Sequence, residues 1–320
     1  MHSIYGVENP LMDIIAHVDQ SFLDRFAKRP GTMHLVEYSE IEALLREIPV
    51  GRKIPGGSAA NTMRGIAFLG AREEPPVFNG AVGRDEMGEA YCRSIEEAGI
   101  VPAIAWKASP TGVSLILVRP DGERTMNTCL GACRDFQPED LDLRRLSQSR
   151  MLYMTGYLWD TDNQRRSAEM AAEIIRSSAM RAEIAFDLAD PFVVRRYGDS
   201  FRAWIPGNVD VLFGNREELA LLTGTDCAED CVGEAAKLAP LVVMKVGEDG
   251  CYVGGEAHGC VHIPGFPVKP VDTTGAGDAF AAGFLHGRLA GRGLEECAAR
   301  ANSLASRIVG VEGCDYSRLR

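Results

Sequence analysis

The sequence predicts an α/β protein with a mostly parallel central sheet between two layers of helices and a small β-sheet lid. Three observations carry this. A chain of 320 residues, 46% of them hydrophobic, can bury a sizeable core. Strand-like and helix-like runs alternate along most of it, the pattern of strands joined by crossover helices. One stretch between residues 103 and 129 breaks that alternation with successive strand-like runs and no helix between them.

The elements follow in order. Ser39 and Glu42 have capping-box spacing around Ile41-Glu42-Ala43-Leu44-Leu45, and Ser58 to Leu69 is rich in small and apolar residues and stops at Gly70; both predict helices. Val77 to Val82 predicts a strand, and Asp85 to Ala98 a helix ended by Gly99. Ala103–Trp106, Gly112–Val118 and Arg124–Thr128 predict short strands, the last two joined by an Asp121-Gly122 hairpin turn. These fit a cover over a ligand better than an edge of the main sheet, which would gain an irregular antiparallel flank. Met151–Thr155 predicts a buried strand; Ile184–Asp187, Val209–Phe213 and Leu241–Lys245 each follow a helical segment. With no long linker, low-complexity tract or repeat, residues 1–320 are expected to form a single domain, its lid built from strands roughly within 13–37 and 103–129.

The balance of 34 basic against 45 acidic residues, a net charge of −11, disfavours a nucleic-acid or membrane partner. No run approaches the roughly 20 apolar residues of a membrane span, and the first residues lack the pattern of a leader, so a cytoplasmic location is expected. Nine cysteines, an odd number in a chain long enough to need no staples, read as reduced thiols. Cys129/Cys133 and Cys227/Cys231 are four apart, and His258, Cys260 and His262 would share one strand face. Without a C-x-x-C pair, packed thiols and an edge strand account for them better than a structural metal.

The most informative segment is Asp272-Thr273-Thr274-Gly275-Ala276-Gly277-Asp278-Ala279-Phe280. Its glycines let an anion approach the backbone, and the unsatisfied amides and dipole of the helix that follows would hold it. Asp278 beside such an anion hole can accept the proton of an attacking hydroxyl, an arrangement for phosphoryl transfer. An acidic residue in a first helical turn is also favoured by the dipole alone. The segment is not a dinucleotide fingerprint, since Phe280 stands where a third glycine belongs, nor a P-loop, since no Gly-Lys-Ser/Thr follows. Gly56-Gly57-Ser58-Ala59-Ala60-Asn61-Thr62 is a second glycine-led helix start, where Asn61 can bond the hydroxyls of a polyol; close helix–sheet packing explains it equally well.

Together the two segments resemble the signature regions of the ribokinase-like (PfkB) family of carbohydrate and nucleoside kinases, the first at nearly every position. Asn215-Arg216-Glu217-Glu218 resembles the family's N-x-x-E motif, and Val243 to Gly250 its strand-turn. The resemblance implies a ribokinase-like fold, ATP as co-substrate and Mg2+. It makes Asp278 the catalytic base, with Gly275, Ala276 and Gly277 as the anion hole. Asn215 and Glu218 would hold Mg2+ through water; as a plain alternative, Asn215 caps a helix with Glu218 at its N3 position. The same resemblance sets Lys245, Gly247 and Gly250 near the nucleotide and Asn302 near its base. In relatives a monovalent cation such as K+ often sits behind the anion hole, where Asp272 and Thr274 would supply carbonyls.

Asn9-Pro10-Leu11-Met12-Asp13-Ile14 resembles a run in the adenosine-phosphorylating branch of that family, in which the Asp bonds the ribose diol. Asp13 is then the sugar anchor, with Asn9, Leu11, Gly56, Gly57 and Asn61 around the acceptor. Arg124 reads as a solvated residue in preference to a cation that lid closure brings against a phosphate, and Phe136 and Trp106 fit core or lid packing as well as a base platform. The expectation is transfer of the γ-phosphoryl group to the 5′-hydroxyl of a ribonucleoside, adenosine first. A sugar kinase and a non-catalytic nucleotide or sugar sensor are the alternatives, and monomer and homodimer both stay open.

Overall fold

The computed structural model describes residues 2–25, 33–48, 51–70, 74–120, 124–178, 182–257 and 259–319. The chain opens with β1 (Tyr5–Val7), β2 (Leu11–His17), α1 (Gln20–Arg25), β3 (Met33–Leu35), α2 (Tyr38–Glu47), β4 (Lys53–Gly56) and α3 (Ser58–Phe68). Then come β5 (Val77–Gly83), α4 (Glu86–Glu97), β6 (Val101–Lys107), β7 (Gly112–Val118) and β8 (Arg124–Cys129). α5 (Leu143–Ser147), β9 (Met151–Thr155), α6 (Asp162–Ser177), β10 (Glu183–Asp187), α7 (Pro191–Trp204) and β11 (Val211–Asn215) continue the alternation. The remainder is α8 (Arg216–Thr223), α9 (Ala228–Ala235), β12 (Leu241–Lys245), β13 (Cys251–Gly255), β14 (Gly259–Ile263), α10 (Ala276–Leu289) and α11 (Leu294–Ile308).

Strands with apolar residues at successive positions, such as β5, β9 and β12, must be covered on both faces, which makes them the centre of a layered sheet. The larger sheet has nine strands in the order β14-β13-β12-β11-β10-β9-β1-β5-β6. It is parallel from β12 to β6, with β13 and β14 antiparallel at one edge. One face packs on α3, α10 and α11, around Met63, Phe280, Phe284 and Leu304, and the other on α6 to α9, around Ala171, Phe186, Phe201 and Leu219. The second sheet has five strands in the order β3-β8-β7-β2-β4. Period two divides its residues: Ile14, Leu115 and Leu117 pack outward with Phe22, Ile41 and Leu44 of α1 and α2, while Leu11, Asp13, Arg124, Met126 and Thr128 face a cavity.

Two sequence expectations are corrected here. Residues 103–106 are not part of the lid: β6 adds to the main sheet parallel to β5, from Val77 opposite Val101 to Gly83 opposite Lys107. Helix α4 supplies the crossover that a parallel neighbour needs. The small sheet joins β2, β3, β7 and β8, which fall largely within the expected lid ranges, to β4, which lies wholly outside them. The start of α2 also moves: Glu37 is its N-cap and its N–H donates to Glu40 (3.3 Å), leaving Ser39 inside the first turn. Val36 and Tyr38 pack against the apolar cluster under the small sheet, which draws the helix start forward. β7 and β8 are antiparallel neighbours, but the Asp121-Gly122 turn, His258 and residues 26–32 lie outside the described residues.

Candidate active site

Two helix N-termini meet at the mouth of the cavity. α10 begins behind Gly275, whose φ of 75° is left-handed, and a Cβ at that position would collide with Cys314. Only glycine meets both conditions, so the loop brings its amides close to whatever lies in front of them. α3 begins behind Gly57 (φ 96°), where a Cβ would stand 2.6 Å from the Asn9 carbonyl oxygen. Asp278, in the first turn of α10, reaches across to α3. Ser58 Oγ donates to its Oδ1 (2.7 Å) and Asn61 Nδ2 donates to its Oδ2 (2.9 Å). Both donors come from one helical face at i and i+3. Asn61 therefore orients the acidic group, a contact the sequence did not suggest, while lining the cavity itself. Burial pushes the Asp278 carboxyl up to about 6, against the pull of the Ser58 and Asn61 hydrogen bonds and of the Lys245 charge.

The cavity measures about 1020 Å³ and lies between this junction and the inner face of the small sheet. Asn9, Leu11, Asp13, Gly57, Asn61, Asp272, Thr274, Gly275 and Asp278 all line it, so the structure brings the expected acceptor residues together with the first residue of the anion hole, while Ala276 and Gly277 lie outside the lining. Gly56 lies behind Asp13, where a Cβ would collide with the carboxylate. Burial, with the Asp278 charge adding to it and Arg64 opposing it, raises the Asp13 carboxyl to about 7. Asn9 is buried and accepts from Gln164 Nε2 (2.7 Å), so its amide orders the wall.

A second polar cluster flanks the anion hole. Lys245 Nζ binds Asp187 Oδ2 (2.7 Å) and would sit 3.4 Å from a Cβ at Gly277, which puts its ammonium against the anion hole itself. Burial works against that charge, but Asp187 and Glu218 outweigh it and hold the ammonium above its ordinary value. Asn215 caps α8 through Glu218 N–H (2.8 Å), and the Glu218 carboxylate accepts from Asn215 N (2.8 Å) and Nδ2 (2.7 Å). This is the reciprocal capping pair, formed by a buried carboxylate that burial pushes upward.

Asn302 departs from expectation. It is buried, and its Nδ2 donates to the carbonyls of Ile263 (3.1 Å) and Pro264 (3.0 Å), so it anchors the loop after β14 instead of facing a base. Gly247 and Gly250 form the turn between β12 and β13 with φ of 65° and 97°, and a Cβ at Gly250 would collide with the Ile263 carbonyl. Asn215, Glu218, Lys245, Gly247, Gly250 and Asn302 lie outside the cavity lining.

Arg124 is also corrected. It lines the cavity and bridges the small sheet to the anion-hole loop, pairing with Asp272 Oδ2 (2.5 Å) and with Thr274 Oγ1. Burial would raise the Asp272 carboxyl, but the Thr274 N–H, Arg124 and the Gly313 N–H hold it below the ordinary range. Phe136 is core and Trp106 is exposed on β6; Tyr157, Phe192 and Tyr197 are the aromatic residues of the cavity wall. Sequence reasoning missed those three, together with Ser58, Asp160 and Glu8. Ser58 had a signal, its i, i+3 spacing to Asn61. Glu8 is buried at the cavity wall, accepting from Ala59 N (2.7 Å) and Thr155 Oγ1 (2.8 Å), and burial raises it to about 8.

A model of the pfkB family carbohydrate kinases matches residues 31–319. The chain belongs to that family. It is 36% identical to a solved adenosine kinase from Sinorhizobium meliloti, over 98% of this chain and 95% of that one, with a TM-score of 0.90. It is 34% identical to an ATP-dependent ribose-1-phosphate kinase of Halopiger xanaduensis, over 82% of each chain. It is 28% identical to adenosine kinase 1 of Arabidopsis thaliana, over 98% of this chain and 95% of the relative. As a pfkB-family kinase the protein is a phosphotransferase with an alcohol group as acceptor and ATP as co-substrate. Among the described residues no helix is long and apolar enough to cross a membrane, and no group of three or more His, Cys, Asp or Glu is placed to hold a metal ion.

Proposed function

We propose that this pfkB-family kinase phosphorylates the 5′-hydroxyl of a ribonucleoside, with adenosine as the preferred acceptor. The observation that carries the reading is that Asp278, the α10 N-terminus and Asp13 face one cavity. Asp13 offers two oxygens to a vicinal diol, which would set the ribose so that its primary hydroxyl points at Asp278. The aromatic wall of Tyr157, Phe192 and Tyr197 and a volume of about 1020 Å³ suit a base-bearing acceptor better than a free pentose. The likeness to the S. meliloti adenosine kinase points the same way.

In this mechanism Asp278 accepts the hydroxyl proton late, as the new O–P bond forms, because its ordinary acidity is too great to deprotonate an alcohol in the ground state. The amides of Gly275, Ala276 and Gly277 and the Lys245 ammonium stabilise charge on the migrating phosphoryl group. Asn215 and Glu218 would hold Mg2+ through water; burial raises the Glu218 carboxyl and the Asp187 and Asp190 charges add to it against Lys245, and this gathering of carboxylates fits a nearby divalent cation. That ion would neutralise phosphate charge. The Asp272 and Thr274 carbonyls would serve a monovalent cation such as K+.

A second reading has one observation in its favour: Arg124, a cation in the cavity wall, could receive an acceptor that already carries a phosphate, in keeping with the H. xanaduensis relative. ADP release measured over adenosine, other nucleosides, ribose, fructose and ribose 1-phosphate separates the two. Adenosine is expected to give the highest kcat/KM. Turnover of ribose 1-phosphate or a free sugar, with none of adenosine, overturns the nucleoside reading, and ligand binding without any ADP release overturns the kinase.

A further inference from the structure

At the end of the cavity wall formed by α7 and the turn before α6, two polar atoms are left without partners. Asp160 and Tyr197 both line the cavity, and Asp160 Oδ1 and the Tyr197 hydroxyl are buried with no hydrogen bond among the described residues. The Asp160 side chain is only 7% exposed, and its other oxygen is fixed by Arg134 Nε at 2.8 Å. A buried carboxylate oxygen without a donor is costly, so native structures supply such atoms with a partner or leave them for a ligand. The turn is tied to the same stretch of α7, since Trp159 Nε1, next to Asp160, donates to Ser200 Oγ (2.9 Å), about one turn from Tyr197, and burial first, then the Asp160 charge, push the Tyr197 phenol above its ordinary value.

Resting on the nucleoside reading above, we infer that Asp160 and Tyr197 read the edge of the acceptor's base and select a purine that carries a 6-amino group. Asp160 Oδ1 can only accept while it is ionised, and Arg134 supplies a compensating charge that holds it in place. An exocyclic amine therefore suits it, and the Tyr197 hydroxyl can donate to the ring nitrogen beside that amine. Adenine presents this donor-then-acceptor order. Hypoxanthine presents the reverse, a carbonyl oxygen followed by an N–H, which would set an acceptor against the carboxylate. Phe192 and Tyr157 flank the same wall as flat apolar surfaces for the ring.

Calorimetric binding of adenosine and inosine to the full chain and its Asp160→Asn and Tyr197→Phe variants tests this, with ADP release followed separately. The wild type is expected to bind adenosine on the order of 10- to 100-fold more tightly than inosine. Asp160→Asn should cut that ratio by on the order of 10-fold, because an amide can turn its NH2 to the inosine carbonyl. Tyr197→Phe, which removes one oxygen and keeps the ring, should reduce the ratio by a smaller factor and serves if the first variant does not fold. A wild type that binds the two nucleosides within about twofold, or variants that weaken both equally, overturn the inference. Selective binding of adenosine without its turnover would overturn the proposed reaction while leaving this recognition intact.

Discussion

Asp278 carries a donor on each oxygen, Ser58 and Asn61, whereas Asp13, across the cavity on the small sheet, receives no hydrogen bond from any described residue. Burial raises both carboxyls, to about 6 and about 7 respectively. The difference lies in what completes them. Asp278 is set by the protein before any ligand arrives, as the proposed role of proton acceptor requires. On the proposed function Asp13 would take its hydroxyl donors from the acceptor, and Gly56 clears the space it occupies. The proposed function thus assigns reaction to one end of the cavity and recognition to the other.

If that division is right, substitution at the two ends splits the kinetic constants. Asp278→Asn keeps the shape and the Ser58 contact but loses the base, so kcat should fall on the order of 100-fold or more with little change in the KM for ATP. Steady-state rates over an ATP series check this, and a variant that turns over normally removes Asp278 from its role.

Asp13→Ala should instead raise the acceptor KM by on the order of 10- to 100-fold, the range for a charge-assisted hydrogen bond lost from a buried site. The KM for ATP should stay near its starting value. Gly56→Ala offers an independent route to the same end, because the added methyl displaces the Asp13 carboxylate without altering its chemistry. Equal losses for acceptor and ATP would erase the distinction between the two ends.

The part of this arrangement that was legible in the sequence is the part encoded locally. Asp278 and the glycines before it sit in one nine-residue segment, and the alternation of strands and helices is a property of neighbouring windows. What stayed hidden depends on distant partners. Asn61 lies 217 residues from Asp278, and nothing in its own surroundings says that its amide meets a carboxylate. Arg124 looked solvated because its counter-charge, Asp272, approaches only when the small sheet folds over the anion-hole loop. β6 was misplaced because a strand's sheet is chosen by its crossover, here α4, and not by its own composition. Glu8 and Asp160 were missed because an acidic side chain is exposed by default, and burial is a tertiary property.

The smallest expected effect concerns pH and probes the reaction end alone. Asp278 must be ionised to accept a proton, so kcat should fall as pH drops through about 6. The hydrogen bond from Ser58 favours the charged form and lowers that value, with burial pulling the other way. Ser58→Ala removes a lowering influence and leaves burial in place, so the acid limb of the kcat profile should move to higher pH. Asn61 still holds the second oxygen, and the displacement should stay within roughly one pH unit. The same sign applies to stability: a carboxyl raised from 3.8 to about 6 by folding binds its proton more readily in the native state, so its contribution to stability falls as pH rises through that interval. Asp13→Asn removes a carboxyl raised by folding to about 7, and should therefore raise the melting temperature of the ligand-free protein more at pH 8 than at pH 5 without moving the kcat limb. An acid limb that shifts with Asp13→Asn and ignores Ser58→Ala would exchange the roles assigned to the two ends.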